Sequence, residues 1–321
     1  MSPGHRGRFA PSPTGDLHLG SAATALVAWL AARSAGASFV LRVEDIDAPR
    51  VVPGCEAEQL DELRWLGLDW DEGPDAGGRS GPYRQSERIA FYEAALDRLR
   101  ARGLTYLCDC SRAEIARVAS APHAGDEGPR YPGTCRPHAH AARDFRRPPA
   151  VRLAVPPGEV VVRDRWQGEV RHDVARDVGY FVLRRGDGVF AYQLAVVVDD
   201  LAMGIEEVVR GADLLDSSPR QALLARLLGG QPPAFAHAPL VVGLDGERLA
   251  KRARGVPLRE RRLSGEAGPE LVGRLARMLG LVAADEHGPI EPRDLVGRGN
   301  LAALAGVQRV RLPGAGDPPD C

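Results

Sequence analysis

Arg8-Phe9-Ala10-Pro11-Ser12-Pro13-Thr14-Gly15-Asp16-Leu17-His18-Leu19-Gly20-Ser21 sets a turn of Pro, Gly, Ser and Thr before a long apolar helix. A histidine and a glycine stand at the junction. The first turn of a helix leaves N–H groups unpaired and carries partial positive charge, so it attracts phosphate. Gly20 lets that backbone approach an anion closely, and His18 can donate a hydrogen bond to a phosphoryl oxygen. This is the chemistry of a nucleotide-binding turn.

Working outward, Leu19, Ala22, Ala23, Leu26, Val27, Leu30 and Ala31 recur at three- and four-residue intervals, predicting a helix over Leu19 to Arg33. Gly36 supplies its stop. The β-rich run Ser38-Phe39-Val40-Leu41-Arg42-Val43 follows and ends in Glu44-Asp45-Ile46-Asp47. Strand, phosphate turn, helix and strand open a parallel α/β sheet, which binds ligands at the carboxyl ends of its strands.

Further along, Phe181-Val182-Leu183-Arg184 and the run from Phe190 to Asp200 flank Gly186-Asp187-Gly188, and the three together read as a β-hairpin. The second arm is nearly all apolar, as expected of a strand covered on both faces. Its companion is Ile205 to Val209. Ser218 reads as the cap of a later helix, with Pro219 at its first position and Gly229 at its end. Glu270 to Leu279 reads as another helix, closed by Gly280.

Lys and Arg total 42, yet the chain holds a single lysine, Lys251. It follows the Asp245-Gly246 turn, in Arg248-Leu249-Ala250-Lys251-Arg252. A compact ammonium can follow migrating charge at a reacting phosphate where a planar guanidinium fork cannot. Three of the five cysteines also cluster, as Cys108-Asp109-Cys110 and then Cys135. Thiolates at that density suit zinc, which takes four tetrahedral ligands. Residue chemistry nominates His123, His138 or His140 as the fourth.

In combination the strings resemble the class I aminoacyl-tRNA synthetases, in the form used by their glutamyl and glutaminyl branch. That branch carries R-F-A-P-S-P-T-G-x-L-H-x-G and then a strand ending R-x-E-D-x-D, matched here by Arg42, Glu44, Asp45 and Asp47. It also has F-A-Y-x-L-A-V-V-V-D-D and V-R-G-x-D where this chain has residues 190–200 and 209–213. The resemblance implies a Rossmann-like α/β catalytic domain with a parallel sheet, an inserted zinc-containing subdomain and a short, mainly helical C-terminal segment. It divides the chain into residues 1–107 and 179–254 as halves of the catalytic domain, 108–178 as the insert and 255–321 as the C-terminal segment.

The same resemblance implies roles. Arg8, Phe9, Ala10, Pro11 and Ser12 would line L-glutamate, Glu44 would receive its ammonium group, and Tyr192 and Arg210 would complete that pocket. His18, Gly20, Asp213 and Lys251 would lie against ATP and its Mg²⁺, with Asp213 near the ribose. His18 and Lys251 would stabilise charge during the reaction. A guanidinium suits a carboxylate and an ammonium needs an acceptor carboxylate, so the residue types agree. The loop at Lys251 occupies the place of K-M-S-K-S but has Arg248 for the first lysine and Ala250 for the serine. A short paralogue within the branch carries C-x-C and then Y-x-x-x-C, which points to Tyr131 as the fourth ligand of one structural Zn²⁺, with histidine the alternative.

Seventy residues follow Lys251 (321 minus 251), few for a large anticodon-binding region. With the Cys/Tyr cluster, this likens the chain to truncated members of the branch that place glutamate on the queuosine base of tRNA(Asp). Three other readings are a discriminating-type glutamyl-tRNA synthetase without its anticodon domain, a small-molecule nucleotidyltransferase, and a non-enzymatic RNA-binding paralogue. Net charge is −1, which argues against a broad nucleic-acid-binding field. RNA contact is therefore expected at local clusters, one of Arg136, His138, His140, Arg143, Arg146 and Arg147, the other of Arg252, Arg254, Arg259, Arg261 and Arg262. No apolar run approaches the roughly 18 residues that span a membrane, and no hydrophobic signal segment opens the chain. A cytoplasmic monomer without membrane contact is expected.

Overall fold

The computed structural model describes residues 5–118, 130–138, 144–243 and 257–311. The first unit follows the pattern expected from the sequence. Strand β1 (Arg6–Phe9) leads through the Pro/Gly turn into α1 (Leu19–Ser34), and β2 (Ser38–Leu41) returns parallel to β1 with Arg8 opposite Val40. Gly36, at φ +64°, makes the left-handed stop after α1. Helices α2 (Cys55–Trp65) and α3 (Ile89–Ala101) follow.

A small antiparallel sheet comes next. Strand β3 (Thr105–Cys108) pairs with β4 (Ala150–Leu153), which pairs with β7 (Val182–Arg184). Helix α4 (Arg112–Val118) lies between β3 and β4 in sequence. Strands β5 (Glu159–Asp164) and β6 (Gly168–Asp173) fall inside the 108–178 span but sit at the edge of the main sheet. The short helix α5 (Val174–Asp177) follows them.

The expected hairpin after β7 is not formed. Residues Tyr192–Ala202 are helix α6, and only Arg184 and Phe190 make an antiparallel bridge across the Asp187 turn. The run is apolar because the helix is buried from Gln193 through Asp200, and full burial removes the periodicity that separates helix from strand. Strand β8 (Glu207–Gly211) is real, but its partners are β1 and β9 (Ala234–Ala238), not the 190–200 run. Helix α7 (Ser218–Leu227) is capped at Ser217 rather than Ser218, with Pro219 in its first turn.

The main sheet has the order β2-β1-β8-β9-β5-β6, parallel throughout except for the β5–β6 pair. The chain leaves β1 for β2 on one side and reaches β8 on the other. The carboxyl end of β1 is therefore the switch point at which such sheets open a crevice. One face is covered by α1, α2 and the C-terminal helices, through Leu26, Leu30, Leu63, Leu271 and Leu275. The other is covered by α3, α6 and α7, through Tyr92, Leu96, Leu194 and Leu224. After β10 (Leu240–Val242) come α8 (Leu258–Leu263), α9 (Gly268–Met278) and α10 (Pro292–Leu295). Strand β11 (Arg309–Arg311) then pairs parallel to β10. No described helix is long and apolar enough to cross a membrane.

Candidate active site

The two N-terminal strings are stitched together by backbone bonds. The N–H groups of Arg42 and Glu44 donate to the carbonyls of Phe9 and Pro11 at 3.0 and 2.9 Å. The Gln59 amide donates to the carbonyls of Ser12 and Gly15. Phe9 and Pro11 are buried, Ala10 is half-buried, and Ser12 is exposed on the turn.

His18 is the N-cap of α1, and its Nδ1 accepts from the Ser21 N–H at 3.3 Å. Burial lowers the pKa of the imidazole and keeps it neutral. With Nδ1 an acceptor, the proton lies on Nε2, 3.4 Å from the Ser21 hydroxyl, a long contact that an anion can replace. Gly20 has a further reason to be glycine, since a Cβ there would meet the His18 ring at 3.1 Å.

Beyond the turn lies a buried ionic cluster. Arg42, without solvent exposure, donates to Asp200 Oδ1 at 2.7 Å and to Glu44 Oε1 at 3.1 Å. Arg8 donates to the Val209 carbonyl at 3.0 Å and lies 3.5 Å from Asp200. Its Nε faces Asp200 and its Nη1 the Val209 carbonyl, so the other terminal nitrogen is the part of the fork left without a partner among the described residues. Burial alone would raise the Asp200 carboxyl, but Arg42 and Arg8 hold it below its ordinary range. Burial wins at Glu44, pushing its carboxyl up despite the same two arginines. An extra cation beside Glu44 would therefore be welcome.

Arg210, on β8, is held differently. Its Nε–H donates to His237 Nε2 at 3.0 Å, and its terminal nitrogens donate to Gln221 at 2.6 Å, Ser218 at 2.9 Å and the Leu214 carbonyl at 3.1 Å. Tyr192, the first residue of α6, also hydrogen-bonds it. Burial lowers the Arg210 pKa and raises that of Tyr192, and Arg8 and Asp200 act electrostatically on both. Every nitrogen of Arg210 is thus bonded, so it contributes charge and shape, whereas Arg8 keeps one terminal nitrogen to offer. Asp213 is exposed in the turn after β8.

Lys251, with Arg248 and Ala250, lies outside the described residues, as do His123 and His140. The surroundings of Arg210 carried no local signal, because Gln221, Ser218, His237 and Asp164 come from separate elements.

The thiol cluster does assemble. The Sγ atoms of Cys108, Cys110 and Cys135 all lie within 4.8 Å of one another, with Cys110 and Cys135 3.5 Å apart. Tetrahedral zinc with bonds of about 2.3 Å needs sulfurs about 3.8 Å apart, so the spacing fits. The Tyr131 hydroxyl is 3.3 Å from Cys108 Sγ and 3.9 Å from Cys110 Sγ, while His138 is exposed. Tyr131 is pinned from behind. Arg152 stacks on its ring, and Gly179 lies so close that a Cβ would sit 2.5 Å from the Tyr131 carbonyl. Burial and Cys135 push the Cys110 thiol up to about 12, so metal entry would release protons. In the first basic cluster, Arg146 pairs with Asp109 and Glu114, and Arg147 with Glu114, which spends part of its charge internally.

Comparison with known proteins gives a consistent picture. The family model for the catalytic domain of class I tRNA synthetases (E and Q) matches residues 5–288. A glutamyl-Q tRNA(Asp) synthetase from Symbiobacterium thermophilum is 51% identical over 312 residues, covering 96% of this chain and 95% of its own. One from Nitratidesulfovibrio vulgaris is 49% identical, covering 93% of each. The crystal structure of a glutamate-tRNA synthetase from Elizabethkingia anophelis superposes with a TM-score of 0.80 at 27% identity, over 97% of this chain and 68% of that one.

Proposed function

The chain belongs to the class I tRNA synthetases of the glutamate and glutamine type and is a ligase of that type, and on that premise we propose that it activates L-glutamate with ATP, without needing tRNA for that step, and transfers it to the queuosine base of tRNA(Asp). The observation that carries the amino-acid assignment is the pairing of an incompletely bonded guanidinium with a cation-seeking carboxylate. Arg8 keeps one terminal nitrogen without a partner among the described residues, and Glu44 is pushed up by burial. A zwitterion with a second carboxylate satisfies both groups at once. The queuosine assignment rests on the names of the full-length relatives.

In this reading Arg8, with Phe9, Ala10, Pro11 and Ser12 as its wall, holds a glutamate carboxylate. Glu44 receives the ammonium, and Tyr192 and Arg210 close the pocket. The α-carboxylate oxygen attacks the α-phosphorus of ATP in line, the bond to the bridging oxygen breaks, and pyrophosphate leaves. The protein's part is positioning and charge stabilisation. His18 donates from Nε2 to a phosphoryl oxygen, Gly20 keeps the α1 N-terminus close, Asp213 lies by the ribose, and Lys251 meets the leaving pyrophosphate. Mg²⁺ bound with ATP supplies further charge neutralisation. A hydroxyl of the queuosine cyclopentenediol then attacks the acyl carbon and AMP leaves.

Cys108, Cys110, Tyr131 and Cys135 hold one structural Zn²⁺. Residues 1–107 and 179–254 form the catalytic halves and 255–321 the C-terminal segment; of the 108–178 insert, residues 159–173 belong instead to the edge of the main sheet. The protein acts in the cytoplasm as a monomer. Incubation with ATP, labelled glutamate and separated tRNAs tests the assignment. Label on queuosine-containing tRNA(Asp), absent from the same tRNA lacking queuosine, supports it. Label on the 3′ end of tRNA(Glu) favours a conventional glutamyl-tRNA synthetase.

A further inference from the structure

Three adjacent parallel strands end in a line of buried polar side chains. In the register of β8 against β9, Arg210 lies directly opposite His237, and Asp164 ends the neighbouring strand β5. His237 is fully buried, and Asp164 nearly so. His237 Nδ1 is 2.6 Å from Asp164 Oδ2, and its Nε2 is 3.0 Å from Arg210 Nε. Ser218 Oγ lies 3.5 Å from the same Nε2. We propose that Asp164 and His237 are positioning residues for Arg210, fixing its guanidinium in the amino-acid pocket through a single imidazole tautomer. The inference rests on the reading of that pocket as the glutamate site.

Donor and acceptor chemistry forces the tautomer. Arginine Nε carries a hydrogen and accepts nothing, so His237 Nε2 must be the acceptor. The ring proton then lies on Nδ1 and is donated to Asp164. Burial keeps the imidazole neutral, with Arg210 opposing its charge and Asp164 and the Leu214 carbonyl favouring it. Asp164 is fixed in turn, because its Oδ1 accepts from the N–H groups of Trp166, Gln167 and His237 at 3.0, 2.9 and 3.2 Å. Only Oδ2 is left to face the ring.

That anchoring makes Asp164→Asn a discriminating substitution of nearly unchanged shape. Three backbone donors keep the amide oxygen at the Oδ1 position, so the amide NH₂ must face His237 Nδ1. The imidazole then has to move its proton to Nε2, setting N–H against the Nε–H of Arg210. A hydrogen bond to a charged group is lost, so the KM for glutamate in ATP–pyrophosphate exchange should rise about tenfold or more. The KM for ATP should stay within about twofold, since the relay does not face the nucleotide. His237→Gln, which can still accept from Arg210, should recover most of the loss seen in His237→Phe.

Nitrogen-15 NMR of the imidazoles gives a readout independent of activity, and its wild-type arm does not depend on whether any variant folds. The proposal expects the Nδ1–H form of His237 in the wild-type protein, and the Nε2–H form in Asp164→Asn. An Nε2–H or doubly protonated His237 in the wild type overturns it. So does a folded Asp164→Asn protein whose KM for glutamate is unchanged while Arg210→Gln raises that KM. Wild-type protein with no glutamate-dependent exchange would instead remove the glutamate reading on which the inference stands, and the inference with it.

Discussion

Arg42 and Asp200, 158 positions apart in sequence, meet at 2.7 Å, joining the end of β2 to helix α6 beneath the pocket. The arginine of the second signature string is therefore a buried strut rather than a ligand. It orients Glu44 on one side and neutralises Asp200 on the other.

Removing that strut takes from the buried Asp200 and Glu44 the guanidinium that hydrogen-bonds both, leaving the more distant Arg8 to offset them. Arg42→Met is expected to destabilise the protein by about 3–5 kcal/mol, read as a fall in urea midpoint. A midpoint unchanged from wild type would show that the cluster is not holding β2 and α6 together.

Much of this organisation was legible because the N-terminal strings are local. The period of α1, the stop at Gly36 and the strand before Glu44 each sit within a few residues of one another, and the parallel pair formed as read. The 190–200 run misled because Val196, Val197 and Val198 favour a strand while burial on every side erases the helical period. The Asp164–His237–Arg210 line was invisible for a different reason. It is created by strand register across β5, β9 and β8, and no local spacing encodes register between strands so far apart in the chain.

Gly20→Ala tests the placement of His18. Its methyl group would meet the imidazole at 3.1 Å and turn the ring off its cap. The kcat/KM for ATP in exchange should fall about ten- to a hundredfold, the penalty of a misplaced catalytic group. Thermal unfolding should shift little, since alanine is the better helix former.

Glu62 predicts a pH effect on stability. Its carboxyl is buried, accepts from the Leu17 N–H at 3.2 Å and has its other oxygen unpaired. Burial, with Asp16 adding to it, pushes its pKa up to about 7. A folded pKa above the unfolded value means that the native state holds the proton more tightly. Its contribution to stability is present in full below the unfolded pKa, near 4.5, and is lost as pH rises towards 7. In Glu62→Gln this part of the slope disappears, so denaturation midpoints from pH 5 to 8 should vary less than in wild type. An identical slope in both proteins would contradict the assignment.

Metal analysis tests the thiol cluster. Purified protein should carry one zinc per chain, and Cys135→Ser should lose most of it. Removing one of four ligands opens a site whose remaining sulfurs cannot complete the tetrahedron. Chelation should lower the melting temperature of the wild type and leave Cys135→Ser unmoved. Wild-type protein without zinc, or a variant that retains it, would refute the ligand set.

The most direct measurement is exchange of labelled pyrophosphate into ATP, with L-glutamate as the only amino acid and no tRNA present. The account predicts glutamate-dependent exchange by the wild-type protein and its loss when Arg8 is replaced by alanine. No exchange with glutamate, or exchange that persists undiminished without the Arg8 guanidinium, would contradict it.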